Sequence, residues 1–220
     1  MKNVVLAHKN FLKKQNAIYK NAFGTPPTEI VCDKRVKNGV FSYIIVWEYP
    51  EKLTSEIENF GKKISKNVSA ISYPKEGLHT TIGNSPVAKN SEGNPQIISM
   101  LEESMKESIS NIKPLHLKNL KWLYNSETVI IASTPDINFT QAFSIIKTAT
   151  DKRGLTLKPP WGSHITVARF IKETNDLSAL NILMKEAPKL ENTTAIGINI
   201  GYGKINKDGF ELQIKKRFSV

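Results

Sequence analysis

Two short segments carry the residue types that acid–base chemistry needs: His79-Thr80-Thr81-Ile82 and His164-Ile165-Thr166-Val167. Isoleucine, valine and threonine favour extended backbone, so both segments read as strands. Along a strand, residues i and i+2 face the same way, which sets His79 beside Thr81 and His164 beside Thr166. Two such pairs facing one groove would meet the needs of phosphodiester chemistry. One group takes the proton of the attacking oxygen, another protonates the leaving oxygen, and donors hold the charged equatorial oxygens. Imidazole titrates near pH 6.5 when unperturbed, so one neutral and one protonated ring can coexist near neutrality. A hydroxyl bonded to a charged phosphoryl oxygen contributes about 1.5–3 kcal/mol. The set asks for no metal: each motif offers one good ligand, and no Asp or Glu lies within either. The plainer alternative is a pair of strand histidines satisfied by backbone or water.

The surrounding sequence predicts the elements that would position these pairs. From Phe41 it reads as strand (41–49), helix (53–67), strand (78–82), helix (95–111) and two strands (116–124 and 127–134). The pattern then restarts with a helix (139–152), a loop (157–163), a strand (164–170) and a helix (176–187). Two last strands (194–205 and 209–218) are joined by a turn at Asn206-Lys207-Asp208-Gly209. Hairpins among helices indicate α+β. The two halves echo each other: a strand ending in an acid and a proline leads to a helix, and each helix to a His-x-Thr strand. Val46 stands 33 positions before His79 and Ala132 stands 32 before His164, which suggests two lobes related by a pseudo-twofold axis.

With both motifs and their matched placement in hand, the chain resembles the 2H phosphoesterase superfamily, the group that includes LigT-like RNA phosphodiesterases and cyclic phosphodiesterases. The double His-x-Thr is the hallmark, and the resemblance runs from about Phe41 to the C-terminus. The run His164-Ile165-Thr166-Val167-Ala168-Arg169 is especially similar to the LigT-like form, whereas Gly83-Asn84-Ser85-Pro86 after the first motif departs from it. The resemblance implies a bilobal fold of two antiparallel sheets flanked by helices, with a central groove. It also implies His79 and His164 as paired acid and base, Thr81 and Thr166 as phosphate ligands, and no cofactor. The implied substrates are 2',3'-cyclic phosphates, ADP-ribose cyclic phosphates or 2',5'-linked oligonucleotides, cleaved by in-line attack, with either histidine able to serve as base. A 2H-like domain is thus expected over 39–220, behind a helical extension over 1–38 that has no counterpart in the resemblance.

Trp161, in the loop before His164, is placed either to stack on a base at the groove mouth or to pack. Tyr202, between Gly201 and Gly203, is a candidate for lining the groove because glycine permits close approach. Strict alternation from His164 puts Ala168 on the motif face and Arg169 on the opposite one, unless a bulge intervenes. His8 and His116 lack a threonine partner.

The 220 residues suffice for one large domain or two packed lobes. A net charge of +11 and a pI near 9.6 favour polyanionic partners, RNA, oligonucleotides or cyclic nucleotides among them, though a generally basic surface is an equal reading. A lone cysteine, Cys32, offers neither a bridge nor a zinc spacing, and the opening residues do not read as a signal peptide. A cytoplasmic monomer without membrane contact is expected. The competing readings are a non-catalytic RNA or nucleotide-binding module that keeps the groove, and a metallohydrolase, which the motifs serve poorly.

Overall fold

The computed structural model describes residues 2–86 and 94–220. A long helix α1 (Lys2–Phe23) and a short helix α2 (Lys34–Asn38) precede the first strand β1 (Val40–Glu48). Helix α3 (Glu51–Asn67), strand β2 (Ala70–Ser72), a 3-10 turn (Lys75–Gly77) and strand β3 (Thr80–Pro86) complete the first half. Helix α4 (Pro95–Ser108) leads to strands β4 (His116–Tyr124) and β5 (Thr128–Pro135), helix α5 (Asn138–Asp151) and strand β6 (His164–Phe170). Helix α6 (Ser178–Lys185) and strands β7 (Thr193–Thr194), β8 (Gly197–Asn206) and β9 (Gly209–Ser219) close the chain.

Two antiparallel sheets result, one ordered β3-β1-β8-β9 and the other β2-β6-β5-β4-β7. The expected α+β architecture of two flanked sheets is present. Each motif strand pairs with the strand that opens its half, β3 with β1 and β6 with β5. The sequence reading lacks β2, β7 and α2, which are too short to show a period. Strand β2 comes from the first half yet extends the second sheet beside β6.

The helices cross over in the same way. Leu53, Ile57, Phe60 and Ile64 give α3 one buried apolar stripe. That stripe lies on the second sheet, with Phe60 packed 4.6 Å from Trp122 of β4. Helix α5 of the second half packs instead against β3 and α4. Neither half therefore buries its core without the other.

Helix α1 is tied down by one buried side chain. Gln15, fully shielded from solvent, donates through Nε2 to the Ser133 carbonyl at 3.0 Å and accepts through Oε1 from the Ser163 amide at 2.6 Å. Phe11 packs against Phe139 of α5 with ring centroids 4.8 Å apart in a tilted arrangement. Replacing Gln15 with Ala leaves a buried N–H and a buried carbonyl unpaired, each costing about 1–3 kcal/mol. Urea unfolding of Gln15→Ala should show a lower midpoint at unchanged slope. The exposed control Lys13→Ala should stay within about 0.5 kcal/mol of the parent.

Candidate active site

Strand alternation alone would carry His164 and Thr166, but not Arg169, to one face. A bulge changes the parity. Ile130 of β5 faces Thr166 while the next residue, Val129, faces Ala168, so Val167 is the extra residue. Beyond it Arg169 lies opposite Thr128, on the same face as His164 and Thr166. The sequence expectation for Arg169 is corrected: it joins the motif face. Strand β3 repeats the device, since Val46 faces Thr81 and Ile45 faces Gly83, leaving Ile82 as the extra residue. Asn84 is thereby the first half's counterpart of Arg169.

A groove of about 270 Å³ lies between the sheets, and His79, Thr81, His164, Thr166 and Arg169 all line it. Arg35, Asn84 and Phe210 border it as well. Both motif threonines and both histidines are half-buried, each open on the groove side.

The two imidazoles differ in how the backbone just before them holds the ring. His79 Nδ1 lies 2.7 Å from the Gly77 carbonyl, which can only accept, so Nδ1 carries the proton and Nε2 is left for chemistry. In the second motif His164 Nδ1 is buried without a hydrogen-bond partner among the described residues, although the Gly162 carbonyl, also two residues upstream, acts to raise the pKa of the ring. Thr80, between the motif residues, points away and accepts a 2.8 Å hydrogen bond from the buried Tyr49 hydroxyl. Ser163 is held three ways: its amide donates to Gln15, and its carbonyl accepts from the Tyr19 and Ser133 hydroxyls at 2.8 Å.

Arg169 is buried in an ion pair with Asp33, their side chains 7% and 4% exposed. Its Nε also donates to the Tyr73 hydroxyl at 2.8 Å. This cation contributes to the titration of the site. Burial pushes His79 down to about 4; Arg169 adds to the effect and the Gly77 carbonyl opposes it. Burial, then Arg169 and Arg35, push His164 down to about 3. The expectation of rings near their unperturbed 6.5 is thus replaced: in the protein alone both are neutral at pH 7.

Trp161 lies flat on His164, ring centroids 4.0 Å apart at 23°. Phe23 runs parallel to the indole at 6.5 Å and Tyr19 meets it edge-on at 5.8 Å. One indole face is therefore committed to the imidazole rather than free for a base. Tyr202 is placed differently from the expectation: it is 1% exposed and packs at 5.3 Å on Tyr43. Residue alternation along β8 turns it to the core side and turns Gly201 and Gly203 to the groove side.

Several groove residues escape the sequence reading. Arg169 requires the bulge. Asp33 and Arg35 lie in the segment assigned to the extension. Phe210, stacked on Tyr73 at 3.9 Å and 6.0 Å from His79, follows a turn with no marker but its aromatic type. Among the described residues no group of three potential metal-ligating side chains occurs, and no helix is long and apolar enough to cross a membrane.

No family model and no curated protein sequence matches the chain. Solved structures do. Escherichia coli LigT complexed with 3'-AMP is similar at a TM-score of 0.51 and 13% identity, over 82% of this chain and 98% of that one. TT0787 of Thermus thermophilus gives 0.50 and 13%, over 81% and 97%. A protein described as a phosphoesterase gives 0.50 and 12%, over 81% and 98%. At such identities the likeness is one of fold, and the fold of this chain is that of the LigT-like 2H phosphoesterases.

Proposed function

We propose that the protein is a metal-independent phosphodiesterase acting on RNA-type 2' phosphate linkages, either 2',3'-cyclic phosphates or 2',5'-linked oligonucleotides. The observation that carries this reading is the convergence of His79, Thr81, His164, Thr166 and Arg169 on one groove. One neutral histidine takes the proton of the attacking oxygen: water for a cyclic phosphate, the neighbouring ribose hydroxyl for a 2',5' linkage. The attacking oxygen bonds to phosphorus as the opposite P–O bond breaks, and the second histidine, protonated, delivers its proton to the leaving oxygen. Thr81 and Thr166 donate to the non-bridging oxygens, and Arg169 supplies positive charge without leaving its carboxylate partner. Trp161 holds the plane of the His164 ring. Arg35, which lines the groove, suits a polyanionic substrate.

Purified protein incubated in EDTA with 2',5'- and 3',5'-linked oligoadenylates and with 2',3'-cyclic nucleotides should cleave at least one 2'-linked class. His79→Ala and His164→Ala should each lower turnover by about 10²- to 10⁴-fold. Full activity in either variant would sink the acid–base assignment. Turnover lost to the chelator would point to a metal hydroxide, and binding without cleavage by the parent protein would identify a non-catalytic module.

The depressed histidines also predict how rate depends on pH. The general acid must carry a proton, and in the free protein that proton becomes available only as pH falls from neutrality toward about 4 for His79 and about 3 for His164. A bound phosphodiester places negative charge between the rings, offsets the arginines and raises both pKa values. The maximum of kcat/KM, which reports the free enzyme, should therefore lie at lower pH than the maximum of kcat. Coincident maxima near 6.5 would show that the rings are unperturbed.

A further inference from the structure

The concave face of the first sheet continues past His79 into a second cavity of about 290 Å³, distinct from the groove between the motifs but sharing His79 with it. Strand β8 contributes Asn199 to it, from the face that also carries Gly197, Gly201, Gly203 and Ile205. A Cβ at Gly197 or Gly201 would meet a backbone carbonyl of β9 within 3 Å, so β9 closes over these glycines and Asn199 is the one β8 side chain left in the trough. Glycine in a strand interior weakens the strand and marks places where another group comes close.

Asn199 is 4% exposed, and its Oδ1 is buried without a hydrogen-bond partner among the described residues. A buried acceptor left unpaired costs stability, so one aimed into a cavity points to a ligand. The register fixes its distance from the chemistry. Thr81 faces Val46, Val46 faces Asn199, and Asn199 faces Arg217, one row across four strands. Two strand spacings put Asn199 roughly 10 Å from Thr81, about the reach of one nucleoside from its phosphate to the far edge of its base.

The lining decides what kind of group fits. Leu212 and Ile214 of β9 provide apolar walls only partly covered by protein. Glu48, Glu76 and Arg217 border the cavity, where Glu51 is paired with Lys75. Three carboxylates against two cations disfavour a second phosphate and suit a neutral, flat group that donates hydrogen bonds. The volume admits one base rather than a dinucleotide.

Resting on the phosphodiesterase reading, we propose that this trough is a base-binding subsite. It takes the base of the nucleotide whose phosphate lies at His79 and Thr81. The Asn199 amide recognises an exocyclic amine beside a ring nitrogen, as adenine and cytosine present, with Leu212 and Ile214 against the ring face. An asparagine amide pairs with such an edge through two hydrogen bonds.

Calorimetric titration with adenosine 2'-monophosphate and purine riboside 2'-monophosphate, which differ only in the amine, tests this directly. The parent protein should prefer the adenosine form by roughly 5- to 150-fold. Asn199→Leu should abolish the preference without lowering Tm, because an apolar side chain replaces an unpaired acceptor. Asn199→Ala, which opens space rather than filling it, should lose the preference as well. Equal affinity of the parent for both nucleotides, no binding of either, or a preference that survives both substitutions overturns the subsite. Discrimination of the amine by a protein that cleaves no phosphodiester would leave the subsite standing and remove the catalytic reading. Histidine-dependent cleavage with no discrimination would do the reverse.

Discussion

A guanidinium cannot be buried without a counter-charge, and the arrangement of this molecule around its groove follows from meeting that condition for Arg169. The bulge in β6 turns Arg169 inward, and Asp33 answers it from a segment more than a hundred residues away in sequence. Asp33 carries two loads at once. One carboxylate oxygen accepts from the Arg35 amide at 2.6 Å and caps α2, while the other pairs with Arg169. The Asp33 amide in turn donates to the Phe170 carbonyl at 2.9 Å, beside Arg169. The short helix that presents Arg35 to the groove is therefore fixed by the same residue that neutralises the buried cation. The field of Arg169, joined at His164 by that of Arg35, adds to burial in lowering the pKa of both imidazoles.

The second support is the clamp on the residue before His164. Three side chains bind the Ser163 peptide, and two of them, Gln15 and Tyr19, come from α1. The same helix places Phe23 alongside the Trp161 ring that covers the imidazole. In the first half, the corresponding histidine relies on its own Gly77 carbonyl. The loop before His164 is also joined to the first sheet through the paired backbones of Asn84 and Lys158, at 3.1 and 2.8 Å. With the exchanged helices α3 and α5, these links make the distance between the motifs a property of the whole fold rather than of a hinge.

Periodicity makes much of this legible in advance. The i, i+2 rule puts each histidine beside its threonine, and the strands at 116–124 and 164–170 lie where apolar alternation puts them. What the period cannot show are its interruptions. A bulge adds one residue and reverses every face assignment beyond it, so Arg169 reads as pointing away. The same two-residue logic, started between the glycines, favours Tyr202, when the residue sharing the glycines' face is Asn199. Position 38 looks like a boundary because the resemblance begins after it, yet Gln15, Tyr19, Asp33 and Arg35 all reach the site by long-range contacts that leave no local pattern in sequence.

The paired bulges after Thr81 and Thr166 are matching devices, each with a buried aliphatic residue, Ile82 or Val167, as its extra member. What they deliver differs: an amide at Asn84 and a cation at Arg169. The backbone is close to symmetric while the electrostatics are not. The side of the groove that carries Arg169, with its Asp33 partner, therefore differs in charge distribution from the side that carries Asn84. The groove is thereby unequal between its two halves, a difference made by a single pair of unlike residues at equivalent positions of a duplicated frame.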